Sequence, residues 1–195
     1  MLNFLSIGRA IYGRLLFILL LISMGSYEAT AEKSLYDYSA RCIDGHEIPF
    51  TRYKGKVVLI VNTAAHCGFT DQLTELQKLQ DRYSDRGLIV LGFPSTDFSE
   101  LEQESNPQLK KFCKKRYGVS FQLFSKGRVT GSDKLEVYKY LTEEAPKDLR
   151  GEVTFTFEKF LIDRNGVLRG RFGSFTNPLS IRVTEMVEAL LKEGE

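Results

Sequence analysis

The sequence is sparing with the groups that bind metals and carry electrons. It has three cysteines, two histidines and no tryptophan. No cysteine stands in a C-x-x-C pair. His46 and His66 make no ligand spacing with Cys42, Cys67 or Cys113, which argues against a metal site. An odd cysteine count permits at most one internal disulfide and leaves a thiol over. So few cysteines cannot staple a coreless scaffold, so the fold must rest on its core. Repeats, low-complexity stretches and linkers are missing too. No apolar run reaches the roughly 20 residues of a membrane-spanning helix. The formal net charge of +2 is too small to point to nucleic acid.

What is present starts with a leader. Arg9 and Arg14 precede an apolar run, Leu15 to Met24, and the small-residue site Ala29-Thr30-Ala31 follows. That is the layout of a secretory signal peptide over residues 1–31. An uncleaved membrane anchor is the competing reading. No cysteine follows the run to carry a lipid. Cleavage after Ala31 leaves 32–195 as one domain, exported to a periplasm or the medium, with no stable membrane association. Disulfides persist in such compartments. Hydrophobic residues make up 43% of the chain, ordinary for a globular domain.

The remaining chain opens irregularly over Leu35–Phe50, with a turn at Asp44-Gly45. Val57–Asn62 is a continuous β-branched run, which suits a strand buried on both faces. Thr70 can cap the next helix. Leu73, Leu76, Leu79 and Tyr83 then give that helix an apolar face, and Gly87 stops it. Leu88–Phe93 is a second buried strand. Strand, helix and strand at this spacing form a parallel βαβ unit. Asn106-Pro107 starts a helix with Leu109, Phe112, Cys113 and Arg116 on one side. Leu135–Leu141 is a shorter helix. Phe155–Asp163 and Val167–Phe172 read as strands joined through Asn165-Gly166, a hairpin signal. Asn177-Pro178 opens a final helix whose apolar face draws on Ile181, Met186, Val187, Leu190 and Leu191. The order implies an α/β, thioredoxin-like fold, a central mixed sheet flanked by helices.

Cys67 falls where the first buried strand hands over to its helix. Unpaired N–H groups and the positive end of a helix dipole gather there. Both favour a thiolate, which is the nucleophilic form. Gly68 lets backbone approach the sulfur, and a protonated His66 would add charge. The bland alternative is a small cysteine that merely packs. Cys113 lies on a later helix among Lys110, Lys111, Lys114, Lys115 and Arg116. A sulfenic acid on Cys67 could condense with it to a disulfide. The competing reading is a solvated basic face over a core cysteine. A disulfide needs Cα atoms within about 7 Å, so a distant Cys113 requires its helix to unwind locally. Cys42 reads as structural.

Four segments resemble glutathione peroxidases: GKVVLIVNTAAHCGFT (Gly55–Thr70), GLIVLGFPSTDF (Gly87–Phe98), KFCKKRYGVSF (Lys111–Phe121) and FTFEKFLIDRNGVL (Phe155–Leu168). The resemblance runs along nearly the whole chain after the leader. It implies a peroxidatic Cys67 and a resolving Cys113, as in the non-selenium members. It also implies peroxide as substrate, a thioredoxin-like or glutathione reductant, no cofactor, and a monomer. The sequence departs from the family around the sulfur. Asp97 takes the position of the family's Gln, Phe155 that of its Trp and Thr156 that of its Asn. Ser95-Thr96 replaces Cys-Asn, and Gln122 replaces Pro. Phe155 keeps an aromatic wall without the indole N–H, and Thr156 keeps one hydroxyl donor. An ionised Asp97 beside the sulfur would oppose a thiolate, whereas a protonated one could donate to the leaving oxygen. Losing a buried donor costs about 1–3 kcal/mol, so two losses would slow the reaction by orders of magnitude. Three functions follow in order of support: a thiol peroxidase; a redox sensor or thiol–disulfide exchange protein; and a binding module with a permanent Cys67–Cys113 disulfide.

Overall fold

The computed structural model describes residues 33–98 and 104–193. The leader expected over residues 1–31 falls outside them, and the described residues belong to a compact unit that begins at Lys33.

Strand β3 (Val57–Thr63) is buried at every position. Its side chains alternate between two cores, as a period of two demands. Val57, Leu59 and Val61 enter one core and Val58 and Ile60 the other. β3 pairs in parallel with β4 (Leu88–Pro94) and antiparallel with β6 (Lys159–Ile162). β5 (Gln122–Leu123) and β7 (Leu168–Phe172) complete the order β5-β4-β3-β6-β7. The mixed sheet carries helices on its faces, which is the thioredoxin-like arrangement the sequence predicts.

Helix α1 (Gln72–Tyr83) packs Leu73, Leu76, Leu79 and Tyr83 onto the first core. A short 3₁₀ turn extends it to Gly87, whose φ of +103° ends it. Helix α2 (Asn106–Tyr117) starts with a reciprocal Ser105–Gln108 capping box and a proline in its first turn. It buries only Leu109 and Cys113. Helix α3 (Glu136–Lys139) runs on into a π-turn over Tyr140–Glu144 on the second core. Helix α4 (Ile181–Lys192) joins α1 on the first face through Val183, Val187, Leu190 and Leu191.

Several local expectations need correcting. The irregular opening contains a hairpin, β1 (Ser39–Arg41) against β2 (Glu47–Pro49), around the turn at Asp44-Gly45. Each strand is too short for a periodic signal. Thr70 does not cap α1, which starts two residues later with no side-chain cap, because its hydroxyl is engaged by Cys67 (below). Residues 155–157 form a turn rather than the start of β6. Asn177-Pro178 makes a turn and α4 starts at Ile181, because the Asn177 carboxamide accepts the Leu179 N–H at 2.7 Å and binds Glu75. Ile181 is accordingly 73% exposed rather than on the apolar face. Arg116, assigned with Leu109 and Cys113 to one side of its helix, is exposed.

Candidate active site

Cys67 sits half-buried in the loop between β3 and α1. Three polar groups surround its sulfur. The Phe69 N–H points to Sγ at 3.4 Å, the Thr156 hydroxyl lies at 3.5 Å and the Thr70 hydroxyl at 3.7 Å. Thr70 also ties the loop together. Its oxygen accepts the Cys67 N–H at 3.0 Å, its hydroxyl can donate to the Cys67 carbonyl at 2.8 Å, and its own N–H reaches that carbonyl at 3.2 Å. Such groups are placed to hydrogen-bond the sulfur as it reacts.

Thr156 reaches the sulfur because its segment is bent away from strand geometry. Phe157 has φ +58°, the one positive value outside glycine among the described residues. Such a conformation costs about 1–3 kcal/mol and persists only when neighbours over-determine it. Here Asn62 and Glu158 do so. Asn62 donates to the Phe155 carbonyl at 2.9 Å and accepts the Glu158 N–H at 2.9 Å. Its backbone carbonyl takes the Phe157 N–H at 2.7 Å. One Glu158 oxygen accepts from the Thr154 N–H and hydroxyl, both at 2.6 Å, and from the Phe155 N–H at 3.3 Å. Its other oxygen holds Arg171 at 2.7 and 3.0 Å. Burial pushes the Glu158 carboxyl up, but Thr154 and Arg171 outweigh it and hold the group below its ordinary range.

The other residues singled out from sequence fall into different places. Phe155 is 43% exposed and its ring meets Phe69 and Phe98 at 6.0 and 5.9 Å. Phe175, 91% exposed, stands edge-on to Phe69 at 5.0 Å. Together these rings make an apolar rim beside the sulfur loop. Asp97 is turned to the 128–130 loop. It accepts the Val129 and Thr130 N–H groups at 2.6 and 3.1 Å and the Ser95 hydroxyl at 3.1 Å, and pairs with Arg128 at 3.3 Å. His66 Nε2 hydrogen-bonds the Glu104 carboxylate and its ring lies 5.3 Å from Phe112 of α2. The His66 hydrogen bond, against a smaller burial effect, holds Glu104 below its ordinary value.

Cys113 lies on the buried face of α2, 4% exposed. A cleft of about 370 Å³ separates the Cys67 loop from that helix, with His66, Cys67 and Gly68 on one side and Phe112, Arg116 and Tyr117 on the other. All three cysteines are thiols. Cys42 is buried and its sulfur contacts His46 Nδ1 at 3.1 Å.

The chain as a whole matches known proteins. The family model for glutathione peroxidase matches residues 35–142. The glutathione peroxidase of Lactococcus lactis is 42% identical over 145 residues, spanning 74% of this chain and 92% of that protein. The glutathione peroxidase-like peroxiredoxin HYR1 of Saccharomyces cerevisiae is 43% identical over 153 residues, spanning 77% and 92%. The crystal structure of apo Trgpx superposes with a TM-score of 0.67 at 31% identity, covering 83% of this chain and 97% of that one. The chain belongs to the glutathione peroxidase family.

As a glutathione peroxidase it is an oxidoreductase that reduces peroxide at the expense of thiols. In this family member the sulfur's surroundings come from two sources. Thr156 was legible from the alignment of its segment. Thr70 was read as a helix cap, and Asn62, Glu158 and Arg171 carried no site reading. Asn62 read as the end of a buried strand and Glu158 as a strand position. A polar side chain at the end of an otherwise apolar run was the one available signal for Asn62. Phe175 carried no signal, because an exposed aromatic in a loop has no periodicity.

Proposed function

We propose that Cys67 is the peroxide-reacting group and Cys113 the resolving thiol. The carrying observation is the convergence of the Phe69 N–H and the Thr156 hydroxyl on one half-exposed sulfur, in a loop that Thr70 ties together. The Cys67 thiolate attacks the outer oxygen of a hydroperoxide. An S–O bond forms, the O–O bond breaks, and the leaving oxygen takes a proton to depart as water or an alcohol. The Cys113 thiol then attacks the sulfenic acid, the disulfide forms and water leaves. A thioredoxin-like dithiol, oxidised to its own disulfide, or two molecules of glutathione, oxidised to glutathione disulfide, return both thiols.

The second step requires Cys113 to leave its buried place. Helix α2 suits that movement. It anchors only two buried side chains, whereas α1 buries six residues and α4 five. Clefts lie on both of its flanks: the one facing Cys67, and another of about 290 Å³ between Lys110, Lys114 and Phe121. Local opening is cheapest where few apolar contacts hold an element. The exposed cations of α2 give the reductant a basic surface, favouring an acidic partner face.

The charged, apolar and small-residue layout of residues 1–31 favours a protein exported to a periplasm or the medium, and the family resemblance favours a monomer. Comparing the mass of the exported protein with that of residues 32–195 tests cleavage after Ala31.

Peroxide consumption with a thioredoxin-type reductant tests the assignment. Cys67→Ser abolishes turnover. Cys113→Ser keeps the first reduction of peroxide but loses turnover with the dithiol. Peroxide turnover that survives Cys67→Ser contradicts the assignment. Disulfide exchange without peroxide turnover favours the sensor reading, which the substituted surround supports.

A further inference from the structure

The Thr156 hydroxyl is one of three groups on the Cys67 sulfur, and its segment is the one whose backbone departs furthest from what its sequence prefers. Phe155–Ile162 alternates and is rich in aromatics, the pattern of a strand that would continue pairing along β3. Pairing between β3 and β6 reaches Val61 and Lys159. Beyond that point the ladder is replaced. The Asn62 side chain, not a strand carbonyl, accepts the Glu158 N–H, and the same carboxamide donates to the Phe155 carbonyl. Asn62 thereby brackets Thr156 from both sides. Glu158 repeats the arrangement from below, receiving the Thr154 and Phe155 N–H groups while Arg171 holds its second oxygen. Asn62, Thr156 and Glu158 are 0%, 1% and 3% exposed, so water does not substitute for these bonds. Asn62 also belongs to the strand that launches the Cys67 loop, so a single residue fixes the hydroxyl relative to the sulfur.

We propose that Asn62 and Glu158 are positioning residues for the peroxide reaction, acting through Thr156 by holding its hydroxyl on the Cys67 sulfur. The proposal rests on the reading of Cys67 as the peroxide-reacting group. A hydroxyl held there donates to the thiolate as it forms and orders the nucleophile for in-line attack. The arrangement predicts a dependence that general stabilisation does not. The effect of changing Asn62 or Glu158 on the sulfur must vanish when Thr156 has no hydroxyl to place.

The test is a double-mutant cycle in the full exported chain. Two rates are measured: the single-turnover reaction with hydrogen peroxide, and alkylation of Cys67 by iodoacetamide against pH, resolved from Cys42 and Cys113 by peptide mass spectrometry. Asn62→Ala is expected to slow the peroxide step about tenfold, the equivalent of about 1.4 kcal/mol, and to move the alkylation profile to higher pH. In a Thr156→Val background the same change is expected to add less than about twofold, as fits a residue with no remaining partner to act through. Glu158→Gln, which keeps the shape but loses the Arg171 pair, is expected to show the same dependence and decides the matter if Asn62→Ala does not fold. Equal losses with and without the Thr156 hydroxyl overturn the proposal, as does a folded variant with unchanged rates. If Cys67→Ser retains peroxide turnover, the reading of Cys67 has failed instead. The alkylation profile then still reports whether Asn62 and Glu158 act on the sulfur through Thr156.

Discussion

Asp97 shows how a position defined by alignment can change employment. Its carboxylate accepts two backbone N–H groups of the 128–130 loop and one hydroxyl, and Arg128 stands against it. Those bonds make it a clamp on a loop. Asp97→Ala should therefore lower the unfolding free energy by about 1–3 kcal/mol, the cost of orphaning buried donors, while the peroxide step changes little; urea titration and single-turnover kinetics check the two halves. Lys159 offers a second test at this scale. Its ammonium is fully buried and donates to the Thr176 carbonyl at 2.7 Å and, more weakly, to those of Gly173 and Ser174. Burial, partly offset by Glu75 and Glu158, pulls its pKa from 10.5 down to about 8. Between those values the unfolded chain binds a proton the native protein has shed, so stability rises with pH. Relative to Lys159→Met, the native protein should gain about 1–2 kcal/mol between pH 8 and pH 10. Urea midpoints checked below pH 10 avoid the tyrosines, whose buried hydroxyls, Tyr140 at about 12 among them, work in the opposite direction at higher pH.

Helix α2 is the element on which the proposed two-thiol cycle turns. With two buried residues against six in α1, its amides should exchange with deuterium well before those of α1, and faster still when Cys67 and Cys113 are joined. Equal protection in the two helices would mean that Cys113 cannot reach the sulfur by local opening. The elements also show what was legible. The apolar run of β3, the heptad-like face of α1, the proline start of α2 and the Asn-Gly hairpin were all readable, because each is a repeating or local chemical pattern. The errors came where one side chain overrode such a pattern. Thr70 looked like a cap but is held by the Cys67 backbone. Asn177 looked like a helix start but closes a turn and binds Glu75. Residues 155–157 alternate like a strand, yet Asn62 ends the ladder.

Across the whole molecule the order of elements was readable from the chain, and the surroundings of the Cys67 sulfur only in part. Thr156 could be placed by its segment, but its supports, Asn62, Glu158 and Arg171, are brought together only by packing β3, β6 and β7 side by side. The same network joins fold to pH. Glu158 is held below its ordinary pKa in the native protein, so its stabilising effect is complete above about pH 4.5 and fades as pH falls through the native value. Acid should therefore narrow the stability difference between the native protein and Glu158→Gln, read as converging urea midpoints. The most direct test of the central claim lies at one sulfur. Cys113→Ser protein is exposed to a single equivalent of hydrogen peroxide with a sulfenic-acid trapping reagent and then digested for mass spectrometry. The adduct should be found on Cys67; an adduct on Cys42 instead, or none while peroxide is consumed, would contradict the account.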